Sequence, residues 1–197
     1  MISLVTRPDP FSILPCMLLD AGVVRDLADA LDGRWRPDTE SDPVRCERLL
    51  SAARVRLYGE RDRSGWYVVT YREARASALK RGDTDWSVGF LPDLTRFDHA
   101  PNDTDLQALA RVHLESGMEA EAGLALAYAV LYEPVQALVT ATPTRFRHNR
   151  EFDLPERLQI LTPVEAFEDM NIDPGEQPGL APPVGSTLDQ GDHWWIP

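Results

Sequence analysis

Cysteine is scarce, with two in 197 residues, so a disulfide scaffold is not expected. Cys16 and Cys46 lie in or beside apolar segments, and neither belongs to a CxxC pair, which also argues against a thiolate zinc site. The four histidines (His99, His113, His148 and His193) form no HExxH and no i, i+4 pair. Lysine is nearly missing: Lys80 is the one lysine among 20 basic residues, which face 32 acidic ones. The resulting net charge of −12 and pI near 4.7 argue against a protein that coats nucleic acid through a broad basic face. They leave room for a nuclease whose acidic pocket is filled by cations, and they fit a protein that docks on a basic partner. No apolar run approaches the ~20 residues that span a bilayer. The first residues lack the order of a secretory signal, and the expected location is cytoplasmic. A Walker phosphate loop, a Rossmann glycine fingerprint and a GxSxG elbow are all missing.

What is present fits one α/β domain of ordinary size. A hydrophobic fraction of 43% and a charged fraction of 26% are those of a globular chain. Residues 1–12, with Pro8 and Pro10, read as an extended lead-in, and the Pro/Gly-rich 172–197 as a tail ending in Trp194, Trp195 and Ile196. Between them, 13–171 alternates strand and helix signals. The near-continuous apolar run 13–19 suits a strand buried on both faces. Val23, Val24, Leu27, Ala30 and Leu31 follow at helical spacing. Pro43 opens a second helix, and 66–70 is an aromatic and β-branched strand followed by a helical stretch to Lys80. The irregular stretch 82–102 is long enough to cover a site. Asp103 or Thr104 is expected to cap the next helix, an Ala-rich helix covers 118–132, and strands are expected at 137–142 and 158–161. Thr162 and Pro163 cap the last helix. This alternation predicts a parallel sheet between helical layers.

Three acids stand at the ends of these elements. Asp20 ends the run Cys16–Leu19, Glu73 follows Thr70 by three residues, and Glu121 opens the Ala-rich helix. Acids at the carboxyl rim of a parallel sheet occupy the place where such folds put their sites. From separate elements they could converge on one Mg²⁺ or Mn²⁺, which wants oxygen ligands and activates a bound water. Glu119 is a substitute ligand if the helix begins later. Acids in first helical turns equally satisfy the helix dipole with no metal at all. The cluster Thr144 to Arg150 is the one concentration of positive charge near that rim. Arg145 and Arg147 are candidate contacts for RNA phosphates and Phe146 a stacking face, against the alternative of a solvated loop.

CMLLDAGVVRDL, VVTYREARASAL, GMEAEAGLALAYAVLYEPVQALVTATPTRF and LPERLQILTPVEAFEDM occur in that order across residues 13–170. Together they resemble the PIN-domain family: an opening strand ending in Leu-Leu-Asp, a second strand with Thr three residues before an acid, an acid opening an Ala-rich helix before Leu-Val-Thr, and a closing strand with Thr-Pro. The resemblance implies a three-layer α/β/α sandwich and a Mg²⁺- or Mn²⁺-dependent ribonuclease, often the toxin restrained by an antitoxin. It makes Asp20, Glu73 and Glu121 the metal-binding acids. The chain departs from the pattern at Gly22, where the family usually has Asn, and at Glu121, where it usually has Asp. It also departs after Leu-Val-Thr, where a fourth acid is replaced by Ala141 and Thr142. Thr140 or Thr142 could offer a hydroxyl instead, a neutral ligand where affinity follows charge count. The leading reading is therefore a PIN-like ribonuclease; the runner-up is a catalytically degenerate PIN-like module, and the third is an acidic partner-binding protein. The Ala-rich helix is expected to be core or the face of a homodimer.

Overall fold

The computed structural model describes residues 15–31, 35, 39–59, 65–80, 91–96, 100–147 and 154–170. The expected lead-in, the tail with its Trp pair and most of 82–102 lie outside the described residues.

Four short strands form one all-parallel sheet: β1 (Cys16–Leu19), β2 (Tyr67–Val69), β3 (Val135–Val139) and β4 (Gln159–Leu161). Their order is β2-β1-β3-β4, with helices between successive strands and flanking the sheet in an α/β/α arrangement. Every residue of β1 is fully buried, as a strand covered on both faces requires. Burying Met17, Leu18 and Leu19 contributes roughly 1.5–3 kcal/mol each relative to exposure. The pairing of β1 with β3 slips once, so that Cys16 faces Val135 while Met17 faces Ala137. The slip leaves the polar Gln136 out of register and exposed.

The helices are α1 (Ala21–Leu31), α2 (Pro43–Gly59), α3 (Arg72–Lys80), α4 (Asp103–Glu115), α5 (Ala120–Leu131), α6 (Thr144–Arg147) and α7 (Pro163–Asp169). The cap expected at Thr162 is present as a full capping box. Its hydroxyl accepts from the Glu165 N–H at 3.2 Å, and the Glu165 carboxylate accepts from the Thr162 N–H at 2.7 Å. The cap of α4 is Asn102 instead of Asp103 or Thr104. Its extended backbone turns the side-chain oxygen onto the Asp105 N–H at 2.9 Å.

β3 starts two residues earlier than expected and ends at Val139. The chain leaves the strand at Thr140, where the Thr142 N–H bonds back to the Thr140 hydroxyl at 3.1 Å. The stretch expected to be irregular contributes a turn at Leu94–Arg96 and one parallel bridge, Asp93 to Thr70, beside the end of β2. The basic stretch from Thr144 begins with the short helix α6.

The Ala-rich helix α5 is core, buried nearly all round from Ala122 to Ala129. Small side chains let α4 come close: a Cβ on Gly123 would lie 3.2 Å from the Cβ of His113. Arg157 closes the other end of α5, donating to the carbonyls of Val130 at 2.8 Å and Glu133 at 3.0 Å. A guanidinium there meets carbonyls that have no partner within the helix, at the negative end of its dipole.

Gly123→Val is expected to destabilise the protein by about 1–3 kcal/mol, because branched carbons would be forced against α4. Denaturant unfolding measures this as a lower midpoint with unchanged slope.

Candidate functional site

In a strand order β2-β1-β3-β4, the chain turns back on itself between β1 and β3. Ligands of open parallel sheets bind at such a switch point, beyond the carboxyl ends of the strands. Asp20 follows β1 and Thr140 follows β3, so both stand at this crevice. The backbone fixes them there: the Asp20 N–H donates to the Val139 carbonyl at 3.0 Å, and the Thr140 N–H to the Leu161 carbonyl at 2.8 Å.

A pocket of about 250 Å³ opens at this edge. Asp20 and Glu121 both line it, together with Arg25, Arg48, Arg145 and Thr142. The fold thus brings together two of the three expected acids from α1 and α5, a hundred residues apart in the chain. Glu73 and Glu119 are not among the lining residues.

Each of the four acids has an internal partner. Asp20 is the N-cap of α1, and its Oδ1 accepts from the Val23 N–H at 2.8 Å. The Thr140 hydroxyl bonds to the same carboxyl group. Glu121 meets Arg25 fork to fork, Oε1 to Nη1 at 2.8 Å and Oε2 to Nη2 at 3.0 Å. Glu73 accepts from the Tyr128 hydroxyl at 3.0 Å with one oxygen and from Arg72 at 3.1 Å with the other. Glu119 pairs with Arg145 at 2.7 Å. Arg145, a candidate contact for RNA phosphates, lines the pocket and pairs with this glutamate at the surface. Phe146, expected as a stacking face, is buried, because α6 turns it inward to the pocket wall. Arg147 ends α6.

The environment drives the acids in opposite directions. Burial pushes the Asp20 carboxyl above the usual range, against the Thr140 and Val23 hydrogen bonds and the charge of Arg25; the nearby Glu121 pushes the same way as burial. The Arg25 hydrogen bonds hold Glu121 below its ordinary value. Gly22 leaves room for the Asp20 carboxylate, since a Cβ there would lie 3.1 Å from Oδ1.

Sequence reasoning missed the residues that tie these acids together. Arg25 is one. Tyr71 is another: it is buried, its ring lies 5.0 Å from that of Tyr128, and its phenol feels the charges of Asp20, Glu121 and Glu73. Burial, then Asp20 and Glu121, raise the Tyr71 phenol far above the usual range, so it stays neutral. Burial and then Glu73 do the same to Tyr128. Asp93 is a buried acid near Tyr128, and its carboxylate accepts from Thr95 at 2.8 and 2.9 Å. A lone tyrosine between a strand and a helix belongs to no spaced motif in sequence, which is why Tyr71 escaped notice.

The donor chemistry of Asp20 and Glu121 suits a hard cation, and in the described arrangement their oxygens are engaged by other groups. Both oxygens of Glu121 are engaged by Arg25, Asp20 is spent on its cap and on Thr140, and Glu73 turns to Tyr128. Among the described residues, no three His, Cys, Asp or Glu side chains are grouped to hold a metal ion. Nor, among them, is any helix long and apolar enough to cross a membrane. No family model, curated protein or solved structure matches this chain.

Asp20→Asn is expected to stabilise the fold at pH 7. Because the folded pKa lies above the unfolded one, ionised Asp20 opposes folding once the pH exceeds the folded value, and the penalty vanishes below the unfolded value. Asparagine keeps the cap acceptor without the charge. The variant should melt a few degrees higher at neutral pH, since ~1 kcal/mol moves Tm by roughly 2–4 °C at this size. That gain should shrink steadily as the pH is lowered toward 4 in a melting series.

Proposed function

We propose that the chain is a PIN-like domain that does not hydrolyse RNA and works as a binding or regulatory module for a protein partner. The observation that carries this is the internal engagement of every candidate carboxylate, above all the bidentate Arg25–Glu121 pair. A phosphodiester hydrolase of the PIN kind needs these carboxylates for a cation. Here guanidinium, phenol, hydroxyl and backbone donors use them. The pocket lining is correspondingly near balance, with the carboxylates of Asp20, Asp26, Asp29 and Glu121 beside the guanidiniums of Arg25, Arg48 and Arg145. Such a lining does not attract a polyanion. The net charge of −12 supports a partner with a basic surface.

One observation favours a second reading, the metal-dependent ribonuclease with Mg²⁺ or Mn²⁺. Asp20 and Glu121 share one pocket at the switch point with Arg145 on its wall, and part-exposed ion pairs are weak enough to be displaced.

Labelled single-stranded RNA incubated with the protein in Mn²⁺ and in Mg²⁺ separates the two. The expected result is intact RNA with both the wild type and Asp20→Asn. Cleavage by the wild type that disappears in Asp20→Asn would establish the ribonuclease instead.

A further inference from the structure

We infer that Arg25 is the resident counter-ion of the switch-point pocket, its guanidinium holding the position beside Asp20 and Glu121 that a divalent cation would otherwise take. The inference rests on the non-hydrolytic reading above and explains how the site is stable without metal. Three features carry it. Arg25 lies on α1 one turn beyond Asp20, so the strand end that positions the acid also positions the cation. Its two terminal nitrogens reach both oxygens of Glu121, at 2.8 and 3.0 Å, so that a metal would have to compete with the guanidinium for each. Its charge also acts on Asp20, lowering the cost of keeping that carboxylate ionised.

The chemistry of the two cations differs in a way that matters here. A guanidinium is charged at every accessible pH and matches a carboxylate in plane and spacing. It is tethered, so its concentration in the pocket does not depend on the medium. A divalent ion carries twice the charge but needs oxygen atoms at 2.0–2.6 Å and must be drawn from solution. With Arg25 in place, an incoming ion meets one more positive charge and two fewer free oxygens. Without it, the pocket keeps Asp20 and Glu121 facing the same space with excess negative charge. A second pair on the same wall, Arg48 with Asp26 at 2.8 Å, follows the same pattern.

The test uses Mn²⁺ alone as the probe and reads binding by calorimetry and Tm by melting, with no RNA present. Wild type, Arg25→Met and Arg25→Met/Glu121→Gln are compared. The wild type is expected to show no saturable Mn²⁺ binding and an unchanged Tm. Arg25→Met should melt lower than the wild type without metal. It should bind one Mn²⁺ with affinity about tenfold or more above the wild type, because affinity follows ligand charge, and its Tm should climb as Mn²⁺ is raised. The added Glu121→Gln should remove both gains. If Arg25→Met does not fold without metal, Arg25→Gln, which keeps a donor toward Glu121, carries the same comparison. Saturable binding of one Mn²⁺ by the wild type, as tight as that of Arg25→Met, overturns the inference, and so does a folded Arg25 variant that binds no Mn²⁺. The second outcome leaves the non-hydrolytic reading intact, whereas RNA cleavage by the wild type overturns that reading by itself.

Discussion

The cost of placing a carboxylate at the end of a buried central strand shapes everything around Asp20. A charge removed from water must find hydrogen bonds and a counter-charge nearby, or its pKa rises until it is neutral. At Asp20 the solution is shared. The first turn of α1 supplies the Val23 N–H, the end of β3 supplies the Thr140 hydroxyl, and α1 supplies Arg25. Arg25 then needs Glu121, which brings the start of α5 to the same point. One buried acid thus joins the central strand pair to two helices, and burial still outweighs its donors.

The same logic spreads to the neighbouring acids. Glu73 sits where a parallel sheet would place a ligand-binding residue, in the first turn after β2, yet the Tyr128 hydroxyl holds it. Tyr71 and Tyr128 stack between the two acidic regions and present neutral, low-dielectric rings to both. Across such material like charges repel more strongly than in water. In this arrangement each acid has its own local partner. A fourth acid after β3 would have added charge at this point. Ala141 and Thr142 stand there without charge, and the preceding Thr140 hydroxyl is a donor to Asp20.

Most of the architecture was legible from the chain because its signals are local. The run Cys16–Leu19 is apolar at every position, and only a strand covered on both faces buries all of it. Thr162, Pro163 and Glu165 spell a capping box, and the box is present. Alternation of strand and helix leads to a parallel sheet through chain geometry alone. The errors came where local patterns competed. Asn102, Asp103 and Thr104 can all cap a helix, and the backbone turn selected Asn102. Phe146 lies within a basic cluster and was a candidate stacking face, but a single turn of helix buried it.

The site divides along the same line. The chain by itself determined that Asp20, Glu73 and Glu121 would stand at the carboxyl rim, because each follows directly from where its strand ends or its helix begins. It also marked the loss of charge after β3, visible as Ala141 and Thr142. Only the tertiary structure decided which acids meet and what they meet. Arg25 and Glu121 are separated by 96 positions, and Glu73 and Tyr128 by 55. Such pairs depend on the strand order β2-β1-β3-β4, which brings residues of α1 and α5 to one pocket at the switch point. A pattern of 3.6 or 2 residues reports which face of an element is buried. It carries no record of the element that covers that face, and here the covering elements supply the donors that occupy the acids.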